Sequence, residues 1–501
     1  MSAQRQLWGK SGGTGTPRNG SRGLEARATG RGWGDACGVF GIQARNHEDV
    51  SRLCYYGLFA LQHRGQESAG IAVGTSDDLH VHTGMGLATQ VFDDHILDRL
   101  TGDVALGHVR YSTTGSNVIE NAQPMVGEHR SGQFALAHNG NLVNAYDLRA
   151  ELEASGHSFG GSTDTEVIVK LIAGSSEPTL EGAIIEAMHQ MKGAYSLGIV
   201  TADRLIGVRD PHGVRPLAIG RLNSDNWIVS SETCALHVVG ADYVREVEPG
   251  EIVTFDGTDI YSEQVIPPER KACCIFEFIY FARPDSHIYG KSIYVSRLRM
   301  GHMLARQAPV DADLVMGVPE TGIPHAAGFA EVSGIPFGEG FIKNRYIQRT
   351  FITPSQRLRE LGVRMKLTPL REAIAGRRLV VVDDSIVRGS TTGPEIQLLR
   401  DAGAREIHLR ISCPPIKCPC FYGIDTSAGS SELIAARMSV EEIRRHVGAD
   451  TLEYLDLKNL VKAVGLPKHN FCTACFDRQY PIPVPEGLKV RKFDLEEAAR
   501  T

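Results

Sequence analysis

The sequence predicts two joined folds, α+β in the first half and α/β in the second, and three observations carry that prediction. The first half alternates short apolar runs with turns and amphipathic stretches, the pattern of antiparallel sheets beneath outer helices. Near 265–275 the style changes, as turn-rich sequence gives way to Pro267-Pro268 and then to the aromatic run CIFEFIYFA at 274–282. Further on, four apolar residues from Leu379 to Val382 enter an acid pair and a Gly/Ser/Thr loop before a periodic stretch. A buried parallel strand feeding a helix has that form.

A chain of 501 residues can bury several cores, so more than one domain is expected. Its 42% apolar and 22% charged residues, with 54 glycines, describe an enzyme-like chain rich in turns. A net charge of −6 gives no argument for nucleic acid or an anionic membrane as partner, and neither is expected. No apolar run approaches ~18 residues, so no membrane span is expected. Residues 1–36 are Gly-, Arg-, Ser- and Thr-rich and lack an apolar core, which excludes a secretory signal and predicts a disordered leader or propeptide. Ten cysteines are too dilute for a disulfide-built secreted domain, and a cytoplasmic protein is expected. Apart from Cys37, Cys54 and Cys234 they all fall in the second half, which points to metal or redox use.

Taken in order, the first half opens with a strand over 37–42 that begins with a thiol, Cys37. A helix follows over 48–62, where Val50, Leu53, Cys54, Leu58 and Leu61 share a face. Short strands fit 70–73, 105–109, 134–138, 195–200, 205–209, 217–219 and 227–230, and helices fit 144–155, 164–173 and 180–190. Polar groups gather where these strands end, at His108 to Thr113, at His138-Asn139-Gly140-Asn141 and at Gly161 to Glu166. Each alone is an ordinary turn or helix cap. Together with Cys37 they form a chemical set. A thiol at a mature N-terminus carries its own α-amine, with a pKa of about 7.7–8.0, as general base. Asn139 and the Gly140 N–H suit a tetrahedral oxyanion, Arg110 an α-carboxylate and Asp164 an α-ammonium.

The strings CGVFGI, LQHRGQESAGIA, GHVRYSTTGS, AHNGNL and GSTDTE resemble the glutaminase half of the N-terminal-nucleophile amidotransferases. That resemblance implies an N-terminal-nucleophile αββα sandwich over 37–265. It makes Cys37 the nucleophile once 1–36 is removed, Asn139 and Gly140 the oxyanion hole, and Arg110 and Asp164 the glutamine-binding pair. The family's leaders are usually shorter, and self-cleavage, a peptidase or a later start codon are all open routes to a free Cys37.

The second half starts with a helix over 291–307 and a strand over 313–318 that runs into Pro319-Glu320-Thr321-Gly322. This turn offers N–H groups beside a hydroxyl and an acid, which suits a pyrophosphate with its metal. Set beside 383–391 in a doubly wound sheet, it falls at the ligand crevice. The stretch 343–366 is rich in Lys and Arg with a single acid, and reads as a solvated basic loop or as a lid over a polyphosphate. The string LVVVDDSIVRGSTT lacks the GK[ST] of a P-loop and the GxGxxG of a dinucleotide site, and a helix over 395–403 closed by Gly403 follows it. Two acids beside an anion cradle need work of their own, and sugar hydroxyls or a divalent cation supply it.

That string resembles, nearly letter for letter, the phosphoribosyl-pyrophosphate (PRPP) loop of the type I phosphoribosyltransferases. The resemblance implies their fold, with a mostly parallel sheet, over 266–501. It implies Mg2+ on Thr321, Asp383 and Asp384, with both acids also on the ribose. It puts Ser385, Val387, Arg388, Gly389, Ser390 and Thr391 around PRPP, with Glu320, Thr321, Gly322, Lys343, Tyr346, Arg364 and Lys366 as further contacts. In this order the halves, over about 37–480, resemble the glutamine PRPP amidotransferases. The resemblance implies that ammonia from glutamine displaces pyrophosphate at C1 of PRPP to give 5-phosphoribosylamine, the first committed step of purine synthesis. It implies an apolar ammonia passage, a homotetramer or homodimer, and purine nucleotides as feedback inhibitors. Two other readings stand beside it: a catalytically silent regulatory scaffold, and an ammonia-dependent transferase whose leader is never removed.

Cys472-x-x-Cys475, with Cys273, Cys274, Cys413, Cys418 and Cys420 remote in sequence, leaves zinc, an iron–sulfur cube and a redox pair open. The strings CIFEFIYFARPDS, PCFYGID and CTACF resemble the family branch that carries a structural [4Fe–4S] cluster. That resemblance implies Cys274, Cys420, Cys472 and Cys475 as ligands that staple the tail to the transferase core.

Overall fold

Strand Gly38–Gln43 is buried along its whole length, which is why it lies inside a sheet rather than at its rim. Val39 points into one core with Leu106 and Ala137, while Phe40 and Ile42 point into another with Cys54 and Leu58. The computed structural model describes residues 37–44, 49–75, 78–111, 115–223, 225–268, 270–344, 365–424 and 433–485. The expected leader 1–36, Ser112 and Thr113, and most of the basic stretch, including Tyr346 and Arg364, lie outside the described residues.

Gly38–Gln43 pairs with Val104–Arg110 on one side and Asn226–Ser230 on the other, in a seven-stranded antiparallel sheet. A second antiparallel sheet, of six strands, has Gly193–Val200 between Gly132–Leu142 and Leu205–Arg209. The two sheets face each other across Val39, Ala72, Leu106, Ala135, Ala137, Val200 and Leu205. Helices Val50–Ala60 and Thr233–Val239 cover the outside of the first sheet. Ala145–Ala154, Asp164–Gly174 and Leu180–Gln190 cover the outside of the second. The result is the expected αββα sandwich.

In the second half, Leu314–Gly317, Arg378–Asp383, Glu406–Ile411 and Thr451–Tyr454 make a parallel sheet in that order. Val315 also bridges Phe337 in parallel on its other side. The strand order therefore reverses between Leu314–Gly317 and Arg378–Asp383, and doubly wound sheets bind ligands outside such a reversal. Val143, Ala194 and Val214 from the sandwich pack into the same apolar core as this sheet, so the halves share buried surface.

Candidate active site

Strand alternation assembles the first site. Val39, Leu106 and Ala137 all face the space between the two sheets, so Cys37, Arg110 and Asn139, each an even number of residues away, face it too. Cys37 is buried at the start of its strand, where its Sγ donates to the carbonyl of Tyr111 at 3.4 Å. Burial pushes this thiol above its ordinary pKa, against the pull of the Tyr111 contact and of Arg110. A small cleft is lined by Cys37, Arg110, Gln123, Gly140 and Asp164, among others. Asp164 opens helix Asp164–Gly174, whose Thr163 cap accepts from the Glu166 N–H, and its Oδ2 accepts from the Leu142 N–H at 3.0 Å. Four of the five residues expected at the glutamine end, Cys37, Arg110, Gly140 and Asp164, therefore line this cleft, while Asn139 precedes Gly140 on its strand and is not among the lining residues.

Asn139 is fully buried, and neither Nδ2 nor Oδ1 has a hydrogen-bond partner. A buried carboxamide left unpaired costs about 1–3 kcal/mol. It makes sense as a donor held ready for a ligand oxygen. Asn139 and Gly140 form no turn; they lie within Gly132–Leu142, paired with Ser196 and Tyr195. Gly140 has φ 152, and a Cβ there would meet the Ala194 carbonyl oxygen at 2.0 Å. The tip of the second half closes this end of the sandwich. A Cβ on Gly423 would stand 2.9 Å from the Gly140 carbonyl carbon, and Asn141 Nδ2 donates to the Phe421 carbonyl at 3.0 Å.

Beneath Cys37 runs a buried ion chain that local sequence reading missed. Arg64 Nε donates to the Cys37 carbonyl at 3.0 Å, while its two Nη atoms each lie 2.9 Å from a Glu277 carboxylate oxygen. Arg64 also pairs with Glu232, and Arg215 Nη1 joins Glu277 Oε1 at 3.1 Å. Burial opposes ionisation of Glu277, but Arg64 and then Arg215 outweigh it and hold the carboxyl below its usual range. One signal was available: Glu277 is a lone charge within an apolar aromatic run, and such a charge is buried with a partner or not at all.

The second site lies at the strand-order reversal. The Val318 N–H donates to the Val382 carbonyl at 2.9 Å, which sets the 319–322 turn beside the acid pair. Thr321 Oγ1 donates to Asp384 Oδ2, and Ser385 Oγ to Asp384 Oδ1 at 2.7 Å. Burial and then the charge of Asp384 push Asp383 well above the usual carboxylate range, and burial raises Asp384 as well. Two acids so poorly neutralised suit a cation. Lys366 lies within electrostatic reach of both, and Lys343 Nζ is 3.3 Å from Glu320 Oε2. Gly322 opens helix Gly322–Ser333, and a Cβ on it would sit 2.6 Å from the Val382 carbonyl oxygen. Gly389 has φ 74, Thr391 stands at the start of helix Thr392–Asp401, and the Val387 carbonyl accepts from the Ile434 N–H at 2.9 Å. Arg388 is half-buried and Ser390 exposed in the same loop. Glu395, on that helix, is a third buried acid that the sequence reading did not pick out; burial pushes it up to about 7 against Lys366.

The structure also gathers the expected cysteines. Cys274 bridges Cys472 in parallel, and Cys420 lies within electrostatic reach of both. Cys475 adds itself to that group, and its carbonyl accepts from the N–H groups of Lys417 and Cys418. Burial raises Cys274 to about 12 against the pull of Arg215, and burial raises Cys472 and Cys475 too. None of the ten cysteines is in a disulfide. Among the described residues no three His, Cys, Asp or Glu side chains stand at the spacing of a single metal ion. A four-iron cube holds its thiolates farther apart than one tetrahedral ion does. The Tyr422 N–H donates to Cys420 Sγ at 3.4 Å, a contact that suits a cluster-bound sulfur. Of the remaining thiols, Cys413 lies within electrostatic reach of the Asp383–Asp384 pair as well as of Cys475.

A family model described as a glutamine amidotransferase domain matches residues 108–238. The amidophosphoribosyltransferase of Synechococcus elongatus is 51% identical over 467 residues, covering 92% of this chain and 94% of that protein. The one from Methanothermobacter thermautotrophicus is 48% identical over 457 residues, covering 91% of this chain and 96% of that protein. Among solved structures, glutamine PRPP amidotransferase from B. subtilis, complexed with ADP and GMP, superposes with a TM-score of 0.86 at 46% identity. That match covers 91% of this chain and 100% of the other.

Proposed function

The chain belongs to the amidophosphoribosyltransferase family, and from that premise we propose how its residues divide the work. Glutamine is hydrolysed at Cys37, and the ammonia attacks C1 of PRPP, displacing pyrophosphate and giving 5-phosphoribosylamine. Residues 37–265 form the glutaminase domain and 266–501 the phosphoribosyltransferase domain, after a leader of 1–36.

With its α-amine free, Cys37 gives up the thiol proton to that amine while Sγ adds to the side-chain carbonyl of glutamine. The oxyanion is received by Asn139 Nδ2–H and the Gly140 N–H, whose donors cost no reorganisation as charge develops. Arg110 holds the α-carboxylate and Asp164 the α-ammonium. The α-ammonium returns its proton to the leaving nitrogen, and collapse expels ammonia and leaves a thioester, which water cleaves to glutamate and the free thiol. Ammonia is largely protonated at neutral pH, so it must reach C1 without meeting bulk water. The seat of Gly423 on Gly140 supports direct delivery across that contact.

At the second site Asp383 and Asp384 hold the ribose hydroxyls, and the 385–391 backbone receives the 5′-phosphate at a helix start. Glu320, Thr321, Gly322, Lys343 and Lys366 receive the pyrophosphate, with Tyr346 and Arg364 from the basic stretch. Thr321, Asp383 and Asp384 would hold Mg2+, which neutralises the departing pyrophosphate when bound. Cys274, Cys420, Cys472 and Cys475 would hold a structural [4Fe–4S] cluster. Purine nucleotides are the expected inhibitors, a homotetramer or homodimer the expected assembly, and the cytoplasm the expected compartment.

The buried, unpaired Asn139 carboxamide facing the same inter-sheet space as Cys37 carries this reading. The test measures pyrophosphate release from PRPP with glutamine or ammonium, alongside iron, sulfide and zinc analysis. Release with neither nitrogen source would overturn it.

A further inference from the structure

Arg215 is completely buried at the join of the two halves, and of its three guanidinium nitrogens only Nη2 has no hydrogen-bond partner. Its Nε donates to the Tyr422 carbonyl at 3.0 Å and its Nη1 to Glu277 Oε1 at 3.1 Å. The guanidinium also lies over the Phe281 ring, 5.9 Å from the centroid. Nη2 is buried without any partner. A guanidinium cannot shed its proton to escape that cost, so the unpaired N–H groups require an acceptor. Cys274 and Cys420 are both within electrostatic reach of Arg215. Cys420 is also tied to the same backbone from its other side, through the Tyr422 N–H.

The other end of the chain of contacts is the nucleophile. Glu277 takes Arg215 on Oε1 and Arg64 on both oxygens, and Arg64 Nε holds the Cys37 carbonyl. Every side chain in this series is buried. A buried path of charged groups thus runs from Arg215, within electrostatic reach of Cys274 and Cys420, to the carbonyl of residue 37.

We propose that Arg215 is a positioning residue that donates an N–H···S hydrogen bond from Nη2 to a thiolate of Cys274 or Cys420. Through Glu277 and Arg64 it thereby ties the occupied cysteine group to the carbonyl of Cys37. The inference rests on the reading that the four cysteines hold an iron–sulfur cluster. A bound cluster supplies sulfur acceptors that carry negative charge, and Arg215 both satisfies its last unpartnered nitrogen and fixes the 420–423 turn against the sandwich.

The test uses the full chain purified without oxygen, as wild type, Arg215→Met and Arg215→Lys. Iron and sulfide are counted, Fe–S(Cys) stretching bands are recorded by resonance Raman, and product formation is measured with glutamine and with ammonium. Arg215→Met is expected to retain iron and to shift the Fe–S(Cys) bands upward, because a lost hydrogen bond strengthens the iron–thiolate bond. Its glutamine-driven rate should fall by about 10-fold or more relative to its ammonium-driven rate, the loss expected for a partner one shell out from a metal group. Arg215→Lys should restore part of both. Unshifted bands in Arg215→Met, or an unchanged ratio of the two rates, would overturn the inference. If that variant does not accumulate, Arg215→Gln is judged by the same two criteria. Wild-type protein without iron and sulfide would refute the cluster reading itself, a result distinct from either of these.

Discussion

Replacing Asn139 with Ala should nearly abolish glutamine hydrolysis while leaving the fold as stable as before. Most buried polar residues give the opposite result, because their removal orphans a partner. Asn139 has no partner to orphan: both polar atoms of its side chain are buried and unpaired. The resting protein already bears about 1–3 kcal/mol for that carboxamide, so its loss offsets the small cavity that Ala leaves. In the reaction the same group meets the developing oxyanion, and loss of one such donor lowers kcat by about 10²–10³-fold, or roughly 2.7–4 kcal/mol. The assay is glutamate formation at saturating glutamine, with ammonium-driven phosphoribosylamine formation as the internal control and the thermal midpoint as the stability readout. The expected result is a loss of two to three orders of magnitude in the first, no change in the second, and a midpoint within about 2 °C of wild type. A midpoint lowered by several degrees, or a glutaminase rate within a few-fold of wild type, would show that Asn139 packs the core and does not wait for substrate.

Cys37→Ala should abolish the glutamine-driven rate and spare the ammonium-driven one, and the intact mass of active protein should correspond to a chain that begins at Cys37. Asp384→Asn should lower product formation about 100-fold or more with either nitrogen source, since it removes charge from the carboxylate that Thr321 and Ser385 orient. Burial holds His108 neutral, with its pKa pushed down to about 3. The unfolded chain, with histidine near 6.5, binds the extra proton between those values, so this stabilisation is complete above about pH 6.5 and is lost toward pH 3. Urea midpoints should show a destabilisation of about 1.4 kcal/mol per pH unit from this group below pH 6, and His108→Gln should flatten that part of the profile. An identical slope in the variant would mean that His108 is not the group responsible.

Elements with one dominant period were legible in the sequence. The helix expected over 164–173 is Asp164–Gly174, and the strand expected over 195–200 is Gly193–Val200. What escaped had no local signal. Strand Asp259–Gln264 is exposed throughout, so no apolar period marks it. Helix Gly322–Ser333 holds Pro324, which reads as a breaker but falls in the first turn, where no intrahelical N–H is needed. Asn139-Gly140 reads locally as a turn, yet long-range pairing with Ser196 and Tyr195 draws both residues into a strand. In the candidate site, Arg110, Asn139 and Asp164 stood out because each lies in a polar string at a strand end, and Cys37 because it is a thiol opening an apolar strand. Arg64, Arg215, Glu232 and Glu277 did not, because the contacts that explain them join residues far apart in the chain. Glu395 escaped for a related reason, since the charged groups it faces, Lys366 and Asp384, lie outside its own helix.

The nearness of Gly423 to Gly140 has a consequence for stoichiometry. No room exists there for even one methyl group, so any larger residue would wedge the transferase away from the glutaminase. Both reactions would continue, but nitrogen released by the first would spill into solvent and pick up a proton before reaching the sugar. Glutamate would then outnumber phosphoribosylamine. If ammonia crosses this contact as proposed, a one-to-one yield would rest on a missing side chain that takes no part in either reaction.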